Sequence, residues 1–272
     1  MNIRPIAGAL GAEIHGIDLA RPLGADALAA IRGALLEHLV IFFREQKLTP
    51  PQQLAFAQRF GEPMAYPQLK GLPECPLITP VVKLENERSN FGGVWHSDTT
   101  YLERPPMGSM LYALQVPPRG GDTLFANQYL AYETLSAGLK RTLDGLVGVN
   151  TSTKAAASKT REDRMRASGE ALKVLAGEHP VVRTHPETGR KALYVNVGHT
   201  ERFREWTQEE SRPLLEYLFA HQVQPEFTCR FRWEPGSLAF WDNRCAQHNP
   251  VNDYHGYRRV MHRVTLAGDV PR

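Results

Sequence analysis

Cysteine is scarce and unpaired in pattern: Cys75, Cys229 and Cys245 are the only three in 272 residues, and no C-x-x-C occurs. Their spacing excludes a disulfide framework and a zinc knuckle, and it suits a reducing cytoplasm. Long apolar runs are missing too. No stretch approaches the ~18 residues of a membrane helix. The opening Met1-Asn2-Ile3-Arg4-Pro5-Ile6 has no apolar h-region, so neither membrane insertion nor export is expected. An excess of one charge is also lacking. Lys and Arg number 32 against 29 Asp and Glu, a net +3 with no basic block, which leaves a small molecule and not a nucleic acid as the expected partner. Repeats and linkers are absent. A chain that is 42% hydrophobic and 22% charged fits one large globular domain spanning 1–272.

The periodicities describe a sheet-rich chain with added helices. Residues 12–19 form a short strand and turn, after which Leu28, Ile31, Leu35 and Leu39 recur at helical spacing and lead into a buried strand, Val40-Ile41-Phe42-Phe43. Thr49, Pro50 and Gln52 are the start of a second helix with a capping box, burying Leu54, Phe56 and Phe60. Met110, Tyr112 and Leu114 alternate as in a strand before a Pro- and Gly-rich turn at 117–122, and a new strand starts at Thr123. Leu135, Leu139, Leu143 and Leu146 predict one helix over 130–146. Residues 151–177, rich in Ala, Ser, Lys and Arg, predict a mobile insertion or active-site lid. Strands at 181–183 and 192–195, a helix at 213–221 and strands at 228–233, 237–241 and 258–266 complete the pattern. Such a series suggests an α+β chain, mainly β, built on a jelly-roll barrel with helical additions.

The chemistry starts at Trp95-His96-Ser97-Asp98. On a strand, His96 and Asp98 point the same way, and with a distant His they make the 2-His-1-carboxylate triad of non-haem Fe(II). A chain with 10 His shows a His-x-Asp by chance roughly every second time, so the surroundings decide. His248, His255 and His262 all compete for the third position. Arg259 and Arg263, four apart in a strand, share a face opposite Val260, His262 and Val264. Two half-buried guanidiniums need anions, either structural carboxylates or a dicarboxylate co-substrate.

Trp95-His96-Ser97-Asp98-Thr99-Thr100-Tyr101, Pro105-Pro106, Gly120-Gly121-Asp122-Thr123-Leu124, Trp241-Asp242-Asn243-Arg244 with Gln247-His248, and Arg258 to Arg263 together resemble the taurine/chlorophenoxyacetate dioxygenase family. The likeness runs from Gly11 to Asp269. It implies a double-stranded β-helix (jelly-roll) core, Fe(II), and 2-oxoglutarate and O2 as co-substrates. On it, His96, Asp98 and His248 are the iron ligands, Thr123 and Arg259 hold the distal carboxylate of 2-oxoglutarate, and Arg263 faces the substrate or the keto-acid end. The implied reaction hydroxylates a C–H bond and releases succinate and CO2, and a carbon bearing a heteroatom leaving group then collapses to a carbonyl. Related halogenases lack the carboxylate present here as Asp98, so hydroxylation is implied. Relatives often form dimers or tetramers, so a homo-oligomer is a further implication.

For substrate, Tyr66 stands where the taurine enzymes have a sulfonate-binding His, and Phe91-Gly92-Gly93-Val94 offers no carboxylate to an ammonium group. Tyr66, Phe91 and Thr99, with Arg263, are the expected substrate contacts. They suit an aryloxy-alkanoate, a sulfonate or an alkyl sulfate ester. The alternatives are an oxygenase acting on a neutral or zwitterionic metabolite, a catalytically silent cupin-like binding protein, and a metal-dependent hydrolase, which would have no use for Arg259.

Overall fold

The computed structural model describes residues 1–67, 69–154 and 173–272. Its eight-stranded sheet runs β1 (Asn2–Pro5), β2 (Ala12–His15), β3 (Val40–Phe43), β14 (Leu238–Asp242), β6 (Gly108–Gln115) and β16 (Arg259–Leu266), and β5 (Ile78–Lys83) and β4 (Pro63–Met64) share the far side of β16. Among the described residues, only β2 and β3 pair in parallel. A three-stranded sheet, β13 (Thr228–Phe231), β7 (Thr123–Asn127) and β15 (Ala246–Pro250), is joined to it through a common core. That core takes Phe42, Leu111, Ala239, Trp241 and Met261 from the large sheet and Phe125, Phe231 and Ala246 from the small one.

The other face of the large sheet is covered by α1 (Ala25–His38) and α2 (Pro50–Ala57), with Ile31, Leu35, Phe56, Ile41, Phe43 and Phe240 in one cluster. Alternation along β3 therefore serves two cores: Ile41 and Phe43 face the helices, Phe42 faces the small sheet, and all four residues are buried. α1 stops where Leu39 takes a left-handed φ of 64° and donates its N–H to Leu35 O, which turns the chain straight into β3. α2 begins with the capping box its sequence predicts, Thr49 and Gln52 satisfying each other's backbone N–H groups.

A third cluster, with Leu143, Val181, Leu193, Phe203 and Leu218, is built by α3 (Gln128–Glu133), α4 (Ala137–Leu143), the sheet β12 (Thr200–Phe203)–β8 (Val147–Thr151)–β9 (Ala176–Pro180), the hairpin of β10 (Val182–Thr184) and β11 (Lys191–Leu193), and α5 (Gln208–His221). The architecture is a sheet-dominated α+β fold. Three expectations change. The single helix over 130–146 is two, because Ser136 leaves the helix and caps α4 by accepting from Leu139 N–H. The alternation at Met110 and Tyr112 holds along β6, but the strand is buried on both faces, Met110 and Tyr112 in the helix-side core and Leu111 and Ala113 in the other, while Leu114 is 41% exposed. α5 starts five residues before Pro213, at Gln208, behind a second capping box of Thr207 and Glu210. The predicted lid at 151–177 falls mostly on 155–172, outside the described residues.

Candidate active site

The strand expected around His96 does not form. His96 alone bridges to β15, its N–H donating to His248 O at 3.0 Å and its carbonyl O accepting the return bond from His248 N–H at 2.9 Å, and Asp98 lies in the turn that follows. The two side chains converge because the chain turns, Thr99 adopting a left-handed φ of 43°, and not because a strand alternates. His96 Nε2 lies 3.5 Å and His248 Nε2 3.7 Å from the same oxygen, Asp98 Oδ1. Those spacings exceed good hydrogen-bond range, and Oδ1 accepts no hydrogen bond from the described residues although Asp98 is fully buried. Of the three competing histidines, His255 is exposed and His262 lies on the partly buried face of β16, which leaves His248.

The donors are held in the form a cation needs. His96 Nδ1 sits 2.7 Å from Val94 O, a carbonyl that can only accept, so Nδ1 donates to it and Nε2 is the ring nitrogen left facing Asp98. Burial first, with the Arg263 guanidinium adding to it, pushes the His248 pKa well down against the pull of Asp98 and keeps the imidazole neutral. Burial alone would raise the pKa of Asp98, but Arg263, His248 and His96 hold it well below the carboxylate range. Its other oxygen, Oδ2, accepts from Ser109 Oγ at 2.8 Å and pairs with the Arg263 guanidinium. Ser109 in turn accepts from Arg263 Nη2 at 3.1 Å and Asn243 Nδ2 at 3.3 Å. One carboxylate oxygen is thus tied down and the other left for a metal. Two imidazole nitrogens and a carboxylate oxygen gathered around one point are a donor set that fits Fe(II). A second buried group, His185, Asp242 and Cys245, does not, because Arg244 and His185 already occupy both Asp242 oxygens.

A cavity opens beside these ligands, lined by His96, His248, Phe91, Thr123, Arg259 and Arg263 together with Val81, Phe125 and Trp233. Arg259 is 5% exposed, and its Nε and Nη2 have no partner among the described residues. Thr123 Oγ1 accepts from Trp233 Nε1 at 2.9 Å, which turns its own proton free to donate. Tyr66 meets Phe91 edge to face at 5.8 Å, and its ring lies 4.7 Å from the Arg263 guanidinium. Thr99, the remaining predicted contact, is buried in its turn and does not line the cavity. Sequence reasoning missed Ser109, Asn243 and Trp233. It also missed Gly92 and Gly198, where an added Cβ would meet His96 Cε1 and His96 Cβ respectively, each at 2.9 Å.

A sheet-dominated fold that gathers two imidazoles and a carboxylate beside a cationic cavity defines a non-haem metal oxygenase. Residues 2–265 match the family described as "Taurine catabolism dioxygenase TauD, TfdA family", and the chain belongs to it. It is 37% identical to an alpha-ketoglutarate-dependent sulfate ester dioxygenase of Pseudomonas putida, over all of this chain and 91% of the relative. It is 36% identical to an alkylsulfatase of Acinetobacter baylyi, over 99% of this chain and 86% of that one. Among solved structures, a taurine dioxygenase from Burkholderia xenovorans superposes with a TM-score of 0.85 at 41% identity, covering 99% of this chain and 92% of that one.

Proposed function

We propose that this chain is an Fe(II)- and 2-oxoglutarate-dependent dioxygenase, with a jelly-roll core, that hydroxylates a small organic anion, an alkyl sulfate ester first among the candidates. The observation that carries it is Asp98 Oδ1, buried and without a hydrogen bond from the described residues, facing both Nε2 atoms beside a cavity lined by Arg259 and Arg263. His96, Asp98 and His248 would hold the metal, which with 2-oxoglutarate and O2 would supply the oxidising power, one oxygen atom of O2 ending in succinate beside CO2 and the other in the hydroxylated substrate. Arg259 forms a bidentate pair with the distal carboxylate, a geometry Lys would not reproduce, and Thr123 donates to it. Arg263 orients Asp98 and gives the anionic end of the substrate or keto acid a cation. Phe91, Tyr66, Phe125 and Trp233 exclude water around the target carbon. Hydroxylation next to a sulfate ester oxygen yields a hemiacetal sulfate, which collapses to an aldehyde and free sulfate.

Relatives named for sulfate esters and an alkylsulfatase activity support that substrate class. Taurine, named for the Burkholderia relative, fits less well, because none of the residues lining the cavity is acidic and its ammonium group would be unpaired. The test is an anaerobic titration with Fe(II) and 2-oxoglutarate, followed by oxygenated succinate assays over sulfate esters, sulfonates, aryloxy acids and neutral metabolites. A metal-to-keto-acid absorption band and succinate release stimulated most by sulfate esters are expected. Absence of the band would overturn the metal site, and strongest stimulation by a neutral metabolite would overturn the substrate class.

A further inference from the structure

β5 carries a lysine that the ligand assignments above do not use. Lys83 is 3% exposed, yet its Nζ has no hydrogen-bond partner among the described residues. Register places it: Lys83 stands directly across the ladder from Arg259, as Val81 stands across from Met261 and Thr79 from Arg263. Side chains two apart on a strand share a face, so Lys83 lies on the same face of β5 as Val81, which lines the cavity, one position beyond the lining itself and beside Arg259, which lines it. Tyr254 lies between the two cations. The Lys83 ammonium is 4.4 Å from the centre of its ring, and the Arg259 guanidinium donates to its hydroxyl.

Like charges directly opposite in a strand pair repel, and a buried ammonium without a counter-ion is worse placed still. The carboxylates that could answer these charges are engaged elsewhere: Asp98 pairs with Arg263, and Asp122 pairs with Arg230 at 2.6 Å. A phenol is neutral near pH 7 and supplies only its ring face. Lys83 and Arg259 are therefore a pair of adjacent buried cations, one of them lining the cavity, with no carboxylate of their own among the described residues. We infer that Lys83 is a second cationic anchor for the distal carboxylate of 2-oxoglutarate, working beside Arg259 and selecting a keto diacid over a keto monoacid. This rests on the dioxygenase assignment above.

The experiment compares anaerobic Fe(II)-dependent binding of 2-oxoglutarate and of 2-oxopentanoate, which lacks the distal carboxylate, to the intact protein and to Lys83→Met. Intact protein is expected to prefer the diacid. Lys83→Met is expected to weaken 2-oxoglutarate about tenfold or more, the worth of one charge-assisted hydrogen bond, and to leave 2-oxopentanoate binding unchanged. Equal weakening of both acids would mean that Lys83 only shapes the fold, and no weakening of either would mean that it faces no ligand; each overturns the inference while the dioxygenase assignment stands. Intact protein that binds neither acid would instead overturn that assignment, and the inference with it. Should Lys83→Met fail to fold, Lys83→Gln keeps the stem and a polar tip and makes the same comparison.

Discussion

At the scale of single residues, the site depends on which oxygen of Asp98 is free. Removing the carboxylate in Asp98→Ala takes away one of three ligands, so succinate formation is expected to vanish along with the absorption band; succinate at the unmutated rate would rule out the triad. Ser109→Ala is the finer probe. Its hydroxyl holds Oδ2 and is held by Arg263 and Asn243, so its loss lets the carboxylate rotate. Partners that orient metal ligands in this way are worth ~10–100-fold in metal affinity. Fe(II) titration of Ser109→Ala is expected to show weakening of that order with little change in overall stability. Elsewhere in the lining, Arg259→Ala is expected to raise the KM for 2-oxoglutarate, since truncating one side of a buried charge pair costs ~2–5 kcal/mol. An unchanged KM would move the main anchor to Arg263.

At the scale of elements, the turn between β14 and β15 decides where His248 stands, and it is fastened from below. Arg244 grips both oxygens of Asp242, at 2.8 Å and 2.6 Å, and reaches Glu187 at 2.8 Å, while His185 Nε2 donates to Asp242 Oδ2 at 3.1 Å. Burial alone would raise the Asp242 pKa, but Arg244 and His185 hold it below the carboxylate range. A depressed folded pKa contributes stability above the unfolded value of ~3.9 and loses it as pH falls through the folded one. Asp242→Asn should then cost ~3–5 kcal/mol, because it breaks a buried pair. Its difference in urea midpoint from the parent should be equal at pH 5 and pH 8 and narrow only below about pH 4. Legibility in the sequence follows the same division between local and distant contacts. The capping box of α2 is written in Thr49, Pro50 and Gln52, and the Arg259–Arg263 face in a spacing of four. The break at Ser136 is hidden by leucines that keep helical spacing across it. Ser109 and Asn243, 134 residues apart, meet only through the pairing of β6 with β14, which no local pattern records. His96 and Asp98 were legible as a pair, but the chain joins them by a turn where spacing implied a strand.

At the scale of the whole molecule, the large sheet separates two cores that have different tasks. The outer one seats α1 and α2, and its Phe56 packs against Phe43 at 5.8 Å and Phe60 at 5.1 Å, remote from the metal ligands. The inner one joins the two sheets, and its Phe125 packs against Phe42 at 5.7 Å and Trp241 at 5.8 Å and lies nearly parallel to the His248 ring at 6.2 Å. Deleting either ring leaves a cavity in a close-packed interior, and both Phe56→Ala and Phe125→Ala should lose ~3–5 kcal/mol in urea unfolding of the metal-free protein. Their metal affinities should part. Phe125 is a wall of both the cavity and His248, so its loss frees the imidazole to tilt away from Asp98, and Fe(II) binding should weaken under conditions where both variants are fully folded. Phe56→Ala should bind Fe(II) as the parent does. Equal weakening in the two variants would mean that metal affinity follows global stability and that the inner core carries no special duty toward the site. A loss confined to Phe125→Ala would mean that the small sheet is held against the large one in the position that keeps His248 facing Asp98.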